Sequence, residues 1–336
     1  MTGPLERALL GLLPALGLLA ALVYLDGYKL VRLRAVVGLL ACGAAIAAAS
    51  YALNRLFLER FPLPLPLFSR YVAPVSEELL KALVVVALVR AHRVGFLVDA
   101  AICGFAVGTG FGVAENLYYV HLLPQAGPGL FLVRGFGTAL MHGGATAIVG
   151  VLGLASLERR PDAWVRAFLP GLLLAMLLHS AFNHFFLSPL LSTTGMVLVL
   201  PILFEWIFAR SERSVGEWIG RGFDADVATL ELINSGRLAG SPAGRYLHAL
   251  RDRFDGPVVA DLLCYLRLHI ELSIRAKGVL LMREAGFSPP ADEATRAAFD
   301  ELRYLGKSVG PTALRAARPL LGMGGKELWQ LNMLER

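Results

Sequence analysis

Residues 8–25 read ALLGLLPALGLLAALVYL, a run with no charged side chain. A helix rises about 1.5 Å per residue, and crossing a bilayer takes about 20 mostly apolar residues. The stretch therefore reads as a membrane span. It is long for the apolar part of a cleaved leader, and the preceding Glu6 and Arg7 cancel instead of supplying a positive flank. Working outward, further apolar stretches lie at 35–53, 71–89, 96–119, 133–157, 164–187 and 190–208, which makes about seven expected spans. Composition agrees. Of the 336 residues, 56% are hydrophobic and only 17% charged, and the mean hydropathy is +0.60. A soluble domain carries about 25% charged residues.

Charge then divides the chain. Residues 1–210 hold 15 Lys/Arg and 10 Asp/Glu, whereas the shorter stretch 211–336 holds 17 and 16. The first reads as a polytopic membrane helix bundle and the second as a C-terminal helical cytoplasmic domain, so the expected fold is all-α. The net charge of +6 comes mostly from connections between spans. That pattern sets topology and does not suggest a nucleic-acid partner. Lys29, Arg32 and Arg34 lie in 26–34, Arg90 and Arg93 in 90–93, and Arg159, Arg160 and Arg166 in 158–166. The alternate connections 120–132 and 188–194 have no charged residue; 54–70, with three arginines and one glutamate, is an exception. The positive-inside rule then puts the N-terminus outside and everything after Arg210 in the cytoplasm of a bacterial cell, with the lipid bilayer as the surrounding partner.

Several local expectations follow. The alternating prolines of Phe61-Pro62-Leu63-Pro64-Leu65-Pro66 exclude regular helix and predict an extended surface loop. In the tail, Ser241-Pro242 and Ser288-Pro289 pair a capping residue with proline at a first helical position. Gly236, Gly256 and Gly286 read as helix stops. A long helix over about 257–285 carries Leu262, Leu266 and Ile270 on one face and Arg267, Glu271 and Arg275 on the other. Cys42, Cys103 and Cys264 form neither a disulfide framework nor a metal-binding spacing.

Ionisable groups within spans are costly and mark interiors or aqueous cavities. Here they occupy four consecutive spans: Glu77, Glu78 and Lys81; Glu115 with Asn116; His142; and His179 with Asn183. With alternating helix directions, Glu77, Glu78, Glu115, His142 and His179 fall roughly 8–14 Å below the outer surface, in one layer. Gly104, Gly108 and Gly112 form a GxxxG ladder that lets helices approach and turns Glu115 toward a neighbour. Each residue also has a plain structural reading. One of Glu77 and Glu78 pairs with Lys81 at i,i+3 or i,i+4, Glu115 pairs with Arg134, and lone histidines and Asn183 serve as interhelical hydrogen-bonding groups. Consecutive glutamates point about 100° apart, so both cannot make the same contact.

No GxSxG or Ser/Lys setting surrounds Ser76, Thr146 or Ser180. The layer suits hydrolysis by activated water: a glutamate base, a histidine moving the proton, and an Asn or His donor for the oxyanion. A zinc variant would use Glu115, His142 and His179 as ligands with Glu77 or Glu78 as base. No HExxH spacing is present, so the sequence requires no cofactor, and the preferred reading has no obligatory ion. A proton-coupled transporter or a non-catalytic membrane scaffold would share this composition, although a transporter favours polar groups in both leaflets and a repeated half.

Ala73-Pro74 with Glu77-Glu78 and Lys81 resembles an EExxK motif, and Phe111 with Glu115-Asn116 an FxxxEN motif; His142 with Thr146 and His179 with Asn183 complete a set of four. Together, over roughly 70–190, they resemble the PrsW family of bacterial intramembrane proteases, related to the CAAX prenyl-protease superfamily. The resemblance implies peptide-bond hydrolysis within the membrane, typically the first cut of a single-pass anti-sigma factor on its extracytoplasmic side. It also implies an essential Glu77/Glu78 pair, with Glu115, His142 and His179 completing the site. The tail lies outside these motifs and is free to bind a cytoplasmic partner.

Overall fold

The computed structural model describes residues 3–287, 293–321 and 324–335, and every regular element among them is helical. The chain forms two compact units, Met1–Glu212 and Arg213–Arg336. In the first, α1 spans Pro4–Leu25, α2 Leu33–Arg60, α3 Ala73–Arg90, α4 Leu97–Leu122, α5 Pro128–Arg159 and α6 Trp164–His184. The helix α7, Pro189–Asn234, starts in this unit and runs on into the second.

Six of these helices, all except α3, are long and apolar enough to cross a membrane. The seventh expected span is helical too, but its 18 residues carry four charged side chains, Glu77, Glu78, Lys81 and Arg90. The centre is α4, walled by backbone on two sides. A Cβ on Gly108 would stand 2.1 Å from the His142 carbonyl oxygen in α5. One on Gly110 would stand 2.1 Å from the Leu40 carbonyl oxygen in α2. Only glycine permits both approaches, so the ladder seats His142 beside the central helix. Leu13, Leu177 and Ile202 lie exposed on α1, α6 and α7, the apolar cover expected where helices meet lipid.

Three expectations are corrected here. The proline-rich loop ends earlier than expected: a helical turn begins at Leu65, with Pro66 in the first turn, where a missing N–H costs nothing. It leads through a π-helical turn, Phe68–Val72, into α3. The last apolar helix does not stop near 208, because the charged positions after it change hydropathy without breaking a helix. Gly256 opens a helix instead of closing one. It precedes Pro257 as the first residue of Gly256–Glu284, and proline is favoured in a first turn.

In the second unit, α8 spans Pro242–Leu250, α9 Gly256–Glu284, α10 Glu293–Leu321 and α11 Gly325–Glu335. The Ser241 side chain accepts from Gly244 N–H at 3.0 Å, an N-cap as expected. Gly236 and Gly286 take φ of 72° and 83° at helix ends, the left-handed stop that glycine favours. Ser288-Pro289 lies outside the described residues. Leu262, Leu266 and Ile270 pack with Phe299, Leu302 and Leu305 in a core of its own, while Arg267 pairs with Glu271 outside at 2.8 Å. A polar knot is buried beside it: Lys277 Nζ meets Asp226 Oδ2 at 2.6 Å and Ser273 Oγ at 2.8 Å, and Gln330 donates to Ser273 Oγ at 2.8 Å.

His269 is buried in the same unit, and burial pushes its pKa down from 6.5 to about 4. The folded ring is neutral where the unfolded ring takes a proton. Its contribution is present above pH 6.5 and is lost as pH falls toward 4. The transition of this unit, followed by the fluorescence of Trp218 and Trp329, should shift to lower temperature across that window. A His269→Gln variant should show a flatter pH dependence; an unchanged slope would count against this account.

Candidate active site

Four helices deliver the polar side chains, and each does so for a local reason. The π-helical turn Phe68–Val72 immediately precedes α3 and its Glu77-Glu78 pair. A second, Arg134–Ala139, immediately precedes the His142 turn of α5. Such turns are uncommon and concentrate at functional sites. His179 occupies the last turns of α6, and Glu115 lies on α4 one turn past Gly112.

The two glutamates separate completely. Glu78 is 0% exposed; its Oε1 accepts from Lys81 Nζ at 2.6 Å and from His179 Nδ1 at 2.8 Å. Lys81, also 0% exposed, reaches His142 Nδ1 at 3.0 Å and lies 4.7 Å from the centre of the Phe111 ring. Glu77 is 14% exposed, and its Oε2 stands 3.9 Å from His179 Nε2. That is too long for a hydrogen bond. Asn54 of α2 donates to Glu77 Oε1 at 3.3 Å.

Glu115 closes the other side. Its Oε2 lies 3.0 Å from His142 Nε2 and 3.3 Å from Arg134. At 28% exposed it is the most open of the set. Arg134 also donates to Asn116 Oδ1 at 2.9 Å and lies 3.7 Å from the centre of the Tyr119 ring, while Asn116 donates to the Gly11 carbonyl at 2.7 Å and so ties α1 to the group. The two imidazoles meet edge to face, with centroids 4.8 Å apart.

Of the expected residues, Glu77, Glu78, Glu115, His142 and His179 thus form one contact network. Asn183 is spent elsewhere, donating to the Ser69 carbonyl at 2.9 Å. Sequence reasoning missed Asn54 altogether and missed the reach of Lys81 to His142. An amide in the last turns of an apolar helix was the available signal for the first; nothing local signals the second.

Donor atoms of Glu77, His142 and His179 all lie within 4.8 Å of one another. The expected zinc set differs at one position: Glu77 takes the place assigned to Glu115, which instead hydrogen-bonds His142. Two imidazoles and a carboxylate are a zinc-type set. His179 fits it directly: Nδ1 meets the Glu78 carboxylate at 2.8 Å and Nε2 is the nitrogen on the Glu77 side, the usual arrangement of a ligating histidine. His142 fits with one exchange. The Lys81 ammonium donates to Nδ1, so the ring proton sits on Nε2 facing Glu115 and must leave before that nitrogen can ligate.

The family model of the PrsW family intramembrane metalloprotease matches residues 31–207, more than half of the chain. The chain belongs to that family. It is accordingly a multi-pass membrane protease, a hydrolase acting on a membrane substrate. Every side chain of the network described above lies within the matched stretch. No curated protein and no solved structure matches the chain significantly.

Proposed function

We propose that this PrsW-family protease is an endopeptidase whose reacting centre lies between Glu77, His142 and His179. The 3.9 Å gap between Glu77 Oε2 and His179 Nε2 carries the reading, since it leaves two unsatisfied donor atoms facing one position. Glu77, His142 and His179 would hold a divalent ion of the zinc type. When bound, that ion supplies Lewis-acid polarisation of the scissile carbonyl and a more acidic water. Glu78 fixes the His179 ring, and Lys81 neutralises the buried Glu78. Glu115, the most open carboxylate, takes the proton from water as its oxygen bonds to the carbonyl carbon, then delivers that proton to the leaving amine as the C–N bond breaks. Asn183 anchors the end of α6 to the segment before α3.

The substrate in this reading is a single-pass membrane protein of the anti-sigma-factor type, cut near its extracytoplasmic end. Charge between the spans supports a cell-membrane protein with the N-terminus outside and the tail in the cytoplasm. Purified protein in detergent, given a candidate single-pass substrate, should yield two fragments joined at one reproducible site. Uptake of a solute by sealed vesicles, with no cleavage, would favour a transporter instead.

Residues 211–336 are proposed as a cytoplasmic domain that selects substrate or binds a regulator. The site side chains lie before position 180, so cleavage of a minimal substrate should survive removal of the tail. The cut belongs after Glu212, because Ser211 Oγ accepts from the Val98 N–H at 3.1 Å at the start of α4. Loss of all cleavage in a well-inserted truncated chain would refute this division.

A further inference from the structure

We propose that Asn54 is a positioning residue that sets the orientation of the Glu77 carboxylate. The inference rests on the metal-centred reading above and extends it to a helix outside the four motifs. Asn54 lies near the charged end of α2, half-buried, beside the exposed Leu53, Arg55 and Leu56. Its partners are specific. Ser76 Oγ lies 2.8 Å from Asn54 Oδ1 and 3.0 Å from the Ala73 carbonyl oxygen, with one proton to give between them, and Asn54 Nδ2 donates to Glu77 Oε1 at 3.3 Å. An ionised carboxylate only accepts, so the amide nitrogen must face Glu77 and the amide oxygen must face Ser76. The serine hydroxyl, 2.8 Å from Oδ1, is compatible with that sense and packs against the amide.

The comparison with Glu78 shows what this contact does. Lys81 and His179 both hold Glu78 through its Oε1. Glu77 has no such pair, and consecutive residues on one helix cannot share those partners. With Oε1 engaged by Asn54, Oε2 is the oxygen left on the side of His179 Nε2, 3.9 Å away. Asn54 thus performs for the carboxylate what Glu78 performs for the His179 ring: it fixes which atom faces the reacting position.

A simple interhelical fastener would make the same hydrogen bonds, so the test must read more than stability. Zinc affinity of the metal-stripped, full-length protein, by competition with a chelating dye, is the deciding measurement. Asn54→Ala should weaken zinc binding by about 10–100-fold, the usual effect of removing a ligand's partner, and lower kcat with KM unchanged. Ser76→Ala leaves Asn54 in place but frees its amide to turn, so it should give a smaller loss in the same direction. The double variant should be no worse than Asn54→Ala, because both act through one contact. Ser76→Ala also keeps the test alive should Asn54→Ala fold poorly. Zinc affinity within twofold of wild type in both variants overturns the proposal, whatever happens to the melting temperature. Glu77→Gln separates the two levels. If it abolishes zinc binding while Asn54→Ala and Ser76→Ala bind normally, only the role of Asn54 fails; if Glu77→Gln itself binds zinc and cleaves normally, the reading of the site fails.

Discussion

Glu77→Gln is expected to lower cleavage by more than about 100-fold, beyond the 10–100-fold typical of a partner one layer further out, while leaving the melting temperature near wild type. Glu78→Gln is expected to fail in a different way. Glu77 is 14% exposed and holds no buried charge in place, so its amide can be accommodated. Glu78 is fully buried against Lys81 at 2.6 Å, and neutralising it removes the closest counter-charge of a buried ammonium ion that otherwise meets His142 and the Phe111 ring. Breaking one side of such a pair costs about 3–5 kcal/mol, so this variant should be less stable as well as inactive. A paired measurement of melting temperature and cleavage rate checks both. Equal destabilisation by the two substitutions, or full activity of Glu77→Gln with authentic products, would remove the distinction between them.

This division between adjacent glutamates marks the boundary of what the sequence discloses. Helical periodicity alone separates Glu77 from Glu78 by about 100° and offers one of them to Lys81 at i,i+3; the structure assigns Glu78. The spans are legible because hydropathy is a property of each stretch by itself. The Gly104-Gly108-Gly112 ladder is legible because small residues at one spacing force a close approach, here onto the His142 and Ala147 backbone. The bond from Lys81 to His142 crosses 61 positions, and that from Asn54 to Glu77 crosses 23. Such pairings depend on which helices become neighbours, which no period within a helix encodes. The choice of Glu77 over Glu115 in the donor triad is hidden for the same reason. The unbroken helix through position 210 was hidden differently: a rise in charge marks a change of solvent, and neither Gly nor Pro stands there to stop the helix.

Stripping the protein of metal should reduce cleavage to background, and zinc should restore it where magnesium does not. The donor set decides the metal: two imidazole nitrogens and one carboxylate oxygen favour a zinc-type ion, whereas magnesium keeps oxygen ligands and its own waters. His142→Gln and His179→Gln should each lose stoichiometric zinc on dialysis, because each removes one of three protein donors. The hydrogen bonds add a sharper expectation. His179 already has its proton on Nδ1, held by Glu78 at 2.8 Å. His142 has its proton on Nε2, against Glu115 at 3.0 Å, because Lys81 occupies Nδ1 at 3.0 Å. Freeing that Nε2 for an ion displaces its proton, so the measured binding enthalpy should vary with the ionisation enthalpy of the buffer. Lys81→Met should weaken that dependence, since the freed Nδ1 can then carry the proton. Metal-free protein, verified by elemental analysis and cleaving at the wild-type rate, would return the chemistry to glutamate and histidine acting on water alone. Zinc binding with no buffer dependence would instead mean that His142 is not a ligand, and Glu115 would have to be reconsidered as the third donor.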